Sequence, residues 1–145
     1  MKNTLTSVIL SIKPIYSQAI IGGTKKVEFR KKKFKRNVDK VFIYSSSPEK
    51  VIIGYFTIKE IVEDSPRNLW ETFHNVGGIS EIDFFEYYKG IDIAYSIVID
   101  KVFKFEYGID PIDFLDKFCA PQSYRYVEEK RLLTAPTRNC LISLT

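Results

Sequence analysis

Two long runs of β-branched and aromatic residues, 51–62 and 94–105, constrain the fold of this chain more than any other feature. Both predict long strands. The segments around them lack the regular strand–helix–strand alternation of a parallel doubly wound sheet. An α+β fold, a mixed β-barrel with helices packed on its openings, fits this order better. In the first run Ile52, Phe56 and Ile58 share a face, and the pattern changes parity at Ile61, after the charged Lys59 and Glu60. That change predicts a bulge or bend, a device that helps small barrels close. In the second run Tyr95, Ile97, Ile99, Phe103 and Phe105 are placed on one face.

Local signals supply the other elements. Residues 6–12 read as a strand, and Pro14 then suits the first turn of a helix that Gly22 and Gly23 terminate. Residues 25–30 alternate as a half-buried strand, with Val27 and Phe29 inward and Lys26, Glu28 and Arg30 outward. Residues 40–44 form a further strand, closed by a Ser-Ser-Ser-Pro turn. Ser65 before Pro66 and Ser80 before Asp83 are helix N-caps, each followed by an aromatic stripe. Asp110–Pro111 opens a short helix to about residue 118, and residues 121–127 read as a last strand. The expected division is one domain over residues 1–127 and a weakly patterned tail over 128–145.

A length of 145 residues suits one domain, and its 11 Phe and 9 Tyr give it enough apolar surface for a core. No stretch reaches the roughly 18 to 20 apolar residues of a membrane span, and the patch at Val8–Leu10 is too brief for a signal peptide. Cys119 and Cys140 are the only cysteines and belong to no Cys-x-x-Cys pair, which argues against a disulfide framework or zinc site. We expect a cytoplasmic protein with no metal, no cofactor and no membrane association.

Charge is unevenly placed. Residues 25–40 hold nine basic and two acidic side chains, whereas the whole chain is only +4. A basic segment on a mildly acidic body points to a local anionic partner. Six of the seven residues from Arg30 to Arg36 are basic, with Phe34 among them. Such a run is either a solvated hairpin loop or a phosphate-tracking surface, and the neighbouring motif favours the second. In that motif Glu28 and Arg30 lie two apart on a strand and share a face, so they either line a pocket together or form an ion pair at its rim. Strict alternation would put Lys26 on that face, so Lys25 reaches it only from the turn before the strand. His74 reads as a solvated or capping residue, and Trp70 as core. Tyr124 and Tyr126, beside Gln122 and Ser123, either line a pocket or close the barrel.

The run Leu10-Ser11-Ile12-Lys13-Pro14, followed by Ile20 to Arg30, resembles the signature of ASCH domains, which are PUA-like. Their G-x-K-x-x-E-x-R pattern is matched by Gly23, Lys25, Glu28 and Arg30. Further similar segments are Ile43 to Pro48 with Val51 to Gly54, Glu63 to Trp70, Gly78 to Gly90, and Pro121-Gln122-Ser123-Tyr124, so the resemblance covers about residues 7–126. It implies a PUA-like barrel with a cleft beside the first helix that holds RNA or a modified nucleoside.

On this basis the chain is expected to bind nucleic acid, RNA ahead of DNA. The pocket candidates are Lys13, Gly23, Lys25, Lys26, Glu28 and Arg30, with Ser45, Gln122, Ser123 and Tyr124. Lys31, Lys32, Lys33, Lys35 and Arg36 supply an unspecific electrostatic grip. The alternative is an enzyme. A metal-independent ribonuclease would use Lys25 and Glu28 as catalytic residues. The resemblance also implies an amidohydrolase acting on acylated cytidine, with a lysine, a threonine nucleophile and a distant glutamate. Lys25 suits that scheme, but Glu28 stands at the threonine position, Thr24 is out of register, and Glu60 or Glu63 would have to be the distant carboxylate.

Overall fold

The computed structural model describes residues 6–113, 124–127 and 141–143. Its elements run β1 (Thr6–Ile12), α1 (Pro14–Ile21), β2 (Val27–Arg30), β3 (Val38–Ser45), β4 (Val51–Asp64), α2 (Pro66–Phe73), α3 (Glu81–Tyr87), β5 (Ala94–Ile109), β6 (Tyr124–Val127) and β7 (Leu141–Ser143). Single 3-10 turns occupy His74–Val76 and Pro111–Asp113. One sheet holds all the described strands in the order β2-β5-β4-β3-β1-β6, with β7 paired to β5.

β1 and β3 are parallel neighbours, with Val8 opposite Val41 and Leu10 opposite Ile43. Every other ladder is antiparallel. A parallel pair cannot be joined by a tight hairpin, so the chain between β1 and β3 crosses over. That crossover is α1, β2 and the basic run, which gathers the informative residues at one end of the sheet.

Alternation along β1 and β3 sends side chains to two apolar clusters. Val8, Leu10, Ile12, Val41, Ile43, Phe56 and Ile97 meet Ile20 of α1 and Phe34 in one cluster. Ile9, Phe42, Tyr44, Ile52, Phe105 and Ile109 form the other. A third cluster joins α2 and α3 to the sheet through Leu69, Phe84 and Tyr88, which pack on Val27, Phe29 and Ala94. Ser65 caps α2, accepting from the Asn68 amide at 3.2 Å, and Ser80 caps α3, accepting from the Asp83 amide at 3.1 Å.

The α+β class agrees with the sequence, and so does the element order from β1 through β5. The β4 irregularity is present, with register shifts against β5 between Phe56 and Ile58 and between Ile58 and Glu60. Two expectations change. β2 is not half-buried: Val27 and Phe29 are buried beneath α2 and α3, and Glu28 on the opposite face is buried as well, between Lys25 and Arg30. β5 does not keep one apolar face either. Ile97 and Ile99 pack in the first cluster and Phe105 in the second, and the pattern breaks at the exposed Asp100 and Lys101, beside the β4 bulge.

Among the described residues no ladder joins β2 to β6, so the backbone path of the sheet is open. The helix expected from Asp110 shows its 3-10 turn at Pro111–Asp113, and its remainder lies outside the described residues. Of the expected last strand, residues 124–127 are β6 and residues 121–123 lie outside them. Leu141–Ser143 pairs with Phe103–Phe105, an edge contribution that residues 128–145 did not advertise.

Phe84 is fully buried and meets Phe29, Trp70, Phe85 and Tyr88 at ring-centre distances of 4.9, 5.1, 5.0 and 4.9 Å. Phe84→Ala is expected to cost about 3–5 kcal/mol in urea unfolding. A loss near zero would show that the α2–α3 layer does not belong to the cooperative core.

Candidate functional site

α1 stops at Ile21, and the following backbone turns sharply: Gly23 has φ +86°, and the amides of Thr24 and Lys25 both reach the Ala19 carbonyl at 3.1 Å. Lys25 therefore precedes β2 and escapes its alternation. Its side chain runs inward, 3% of the residue remaining exposed, and Nζ donates to the Gly77 carbonyl. Nζ lies 3.9 Å from Glu28 Oε1 and 5.0 and 5.2 Å from the ring centres of Phe29 and Tyr16. The other Glu28 oxygen accepts from Arg30 Nη1 at 3.2 Å. Glu28 is itself only 6% exposed, so one buried carboxylate sits between two cations. Such a pairing is retained only when both partners stay in place, since a lone buried charge is strongly unfavourable.

Gly77 and Gly78 make room for this arrangement. Gly78 has φ +62°, and a Cβ there would lie 2.8 Å from the Lys25 side chain; one on Gly77 would lie 2.9 Å from the Phe29 ring. Tyr88 fixes the end of β2, donating to the carbonyl of Arg30 at 3.0 Å. Burial drives its phenol far above the ordinary range, so it stays a donor.

The group forms the floor of a cleft of ≈ 840 Å³, a size suited to a small ligand. Ser11, Ile12, Lys13 and Tyr16 line it, as do Ser46, Phe29 and, from the α3 region, Ile79, Asp83, Glu86 and Tyr87, and the exposed Lys31 and Lys32 stand at its mouth. Lys31 Nζ lies 4.6 Å from the Tyr87 ring centre. Burial raises the Tyr16 phenol, with Asp83 and Glu28 adding to the shift. Burial also raises the Tyr87 phenol, with the Arg30 cation opposing and Glu28 adding.

Of the sequence candidates, Lys13, Lys25, Glu28, Arg30, Lys31 and Lys32 come together here. Gly23 and Lys26 are exposed and off the lining. Ser45 is fully buried, its hydroxyl 2.8 Å from that of Ser17, and Ser46 lines the cleft instead. Lys33, Lys35 and Arg36 lie beyond the lining. Gln122 and Ser123 fall outside the described residues, and Tyr124 stands on β6. Glu60 and Glu63 are exposed on β4 and do not line the cleft, nor does Thr24. His74 ends α2, with Nδ1 3.0 Å from the Trp70 carbonyl, and Trp70 packs on Phe84. Sequence reasoning missed Ser11, Tyr16, Asp83, Glu86 and Tyr87 as lining, and Gly77 as the partner of Lys25. Among the described residues no group of three or more His, Cys, Asp or Glu side chains is placed to hold a metal ion. None of the described helices is long and apolar enough to cross a membrane.

The model of the ASCH domain family matches residues 10–110. The chain belongs to that family. It is 27% identical over 92 residues to the ASCH domain-containing ribonuclease of Zymomonas mobilis, across 63% of this chain and 62% of that one. It is also 23% identical over 128 residues to the large ribosomal subunit protein uL22 of Ureaplasma parvum, across 88% of this chain and 41% of that one. The chain thus spans less than two thirds of these curated relatives. The crystal structure of ASCH from Zymomonas mobilis superposes with a TM-score of 0.79 at 22% identity, covering 88% of this chain and 91% of that one. A serine-to-alanine variant of that protein gives 0.81 at 22%, covering 88% and 92%. At this identity the likeness is one of fold.

The basic loop of this ASCH domain is tied down. Phe34 is buried and meets Tyr124 of β6 edge-on at 4.8 Å. The amides of Lys35 and Arg36 both donate to the Tyr126 hydroxyl at 3.0 Å, and the Arg36 guanidinium lies 4.2 Å from that ring centre. Tyr126→Phe removes an acceptor shared by two amides and is expected to cost about 1 kcal/mol. It should also speed tryptic cleavage between residues 31 and 36. Unchanged cleavage would mean that Phe34 alone holds the loop.

Burial holds the Lys25 ammonium below its ordinary value of 10.5, with Glu28 opposing that pull. The unfolded chain therefore keeps this proton to higher pH than the folded chain. The penalty is complete below the folded value and is relieved as pH climbs toward 10.5, so this group makes stability rise with pH there. The unfolding free energy of the parent protein minus that of Lys25→Met should grow as pH climbs toward 10.5. A constant difference would refute the burial argument.

Proposed function

We propose that this ASCH domain acts in the cytoplasm as an RNA-binding module, holding single-stranded RNA in the cleft beside α1 and along the adjoining basic loop. The observation that carries this reading is the buried Glu28, held between Lys25 and Arg30 at the floor of a cleft whose mouth continues into Lys31 and Lys32. Fixed cations at the mouth suit phosphates, and a fixed carboxylate at the floor suits the donors of a base edge. The Zymomonas mobilis relative named as a ribonuclease supports an RNA-related role. The framework we propose is a PUA-like barrel closed between β2 and β6 by the Phe34–Tyr124 contact rather than by a ladder.

Cleavage is the second reading, favoured by that relative's name and by the proximity of Lys25 to Glu28. Glu28 would accept the proton of the 2′-hydroxyl as that oxygen attacks the adjacent phosphorus, and Lys25 or Arg30 would stabilise the charge gathering on the phosphate. The 5′-oxygen would leave with a proton from water, giving a 2′,3′-cyclic phosphate. Acylcytidine hydrolysis draws less support, since Glu28 is no substitute for a threonine nucleophile and neither Glu60 nor Glu63 lines the cleft.

Anisotropy titrations of single-stranded RNA and DNA at several salt concentrations test the binding. Each phosphate contact contributes roughly 0.7 to the slope of log affinity against log salt on a single strand, so replacing Lys31, Lys32 and Lys33 by alanine should flatten it by about 2. Salt-independent affinity would remove the loop from the interface. RNA incubated with the protein in EDTA reports on cleavage: loss of intact RNA that disappears in Lys25→Ala and Glu28→Ala supports catalysis. Intact RNA alongside measurable binding leaves the binder.

A further inference from the structure

The cleft is not the wall of cations that a path for phosphates alone would have. Of its charged lining residues, Lys13, Lys25, Arg30, Lys31 and Lys32 are opposed by Glu28, Asp83 and Glu86. Asp83 and Glu86 stand three apart on α3 and so share one face of that helix, and both line the cleft with Tyr16. Among the described residues neither carboxylate is in an ion pair. Both are exposed, whereas Glu28 below them is buried and already engaged by two cations. The aromatic walls are partly covered as well: a lysine ammonium stands over Tyr16 at 5.2 Å and over Tyr87 at 4.6 Å. Against a phosphate, free carboxylates at this place are purely repulsive. Against a base that offers hydrogen-bond donors, they are acceptors.

We propose that the cleft selects a nucleobase bearing an exocyclic amino group over uracil, with Asp83 and Glu86 as the specificity-determining residues. The inference rests on the RNA-binding reading. Cytosine, adenine and guanine each present an amino group that a carboxylate can accept from. Uracil presents a single N–H flanked by two carbonyl oxygens, so a carboxylate facing that edge meets more repulsion than attraction. The phosphates flanking the splayed base fall to Lys13, Lys31 and Lys32 at the mouth, and the acidic wall turns the strand away from α3.

The experiment measures dissociation constants for short rC, rA and rU oligomers at one salt concentration, using the full chain and the variants Asp83→Asn, Glu86→Gln and the two combined. Both substitutions are isosteric at exposed positions, and thermal unfolding verifies that each variant is folded. The parent protein should bind rC and rA about tenfold more tightly than rU. The double variant should close that gap to within about threefold while binding all three more tightly, because removing two negative charges helps every phosphate equally. The ratio between oligomers, not the affinity, therefore separates base reading from general electrostatics. Equal affinity of the parent protein for rU, rC and rA overturns the inference and leaves the RNA-binding reading standing. So does a gap that persists unchanged in the double variant. Failure to bind any of the three overturns both.

Discussion

The parallel pairing of β1 with β3 is the constraint on which the rest of this architecture depends. Parallel neighbours require a crossover, and this one carries α1, the turn at Gly23, β2 and the basic loop. The crossover must leave the end of β1 and return to the start of β3. It also places β2 against the first half of β5, on the side of β5 away from β4. Val27 and Phe29 are then buried beneath α2 and α3, and Glu28 and Arg30 are left at the cleft. The site is the far side of a strand whose near side is core.

Burial of Lys25 follows from the same geometry. The ammonium forgoes water for one carbonyl, one carboxylate and two ring faces, which compensates it only because Gly77 and Gly78 let the chain approach so closely. The site therefore gains rigidity from groups with no ligand-facing atoms. A methyl group at Gly78 would displace the lysine as surely as a change at Lys25 itself.

Much of this was legible in the sequence because it rests on local rules. The caps at Ser65 and Ser80, the stop at Gly22 and Gly23, and the parity change near Lys59 each leave a signature within a few residues. The placement of Lys25 before β2 could be posed from alternation alone. What was not legible depends on neighbours remote in the chain. Nothing near Glu28 announces that α3 will bury the other face of its strand, and Asp83 reads only as part of a helix start. Ser45 and Ser46 are equivalent as letters; the register of β3 against β1 decides that one meets Ser17 inside and the other faces the cleft.

The anchoring of the basic loop has a consequence for how the molecule comes into being on the ribosome. Lys35 and Arg36 are held by Tyr126, and Phe34, packed in the first cluster, also meets Tyr124; both tyrosines are synthesised some ninety residues later. β6 is also the outer neighbour of β1, so the first strand made waits for one of the last. Until residues 124–127 emerge, the backbone at Lys35 and Arg36 lacks the acceptor that holds it. The tyrosines that order this loop therefore also decide when, in the life of the chain, its backbone is held in place.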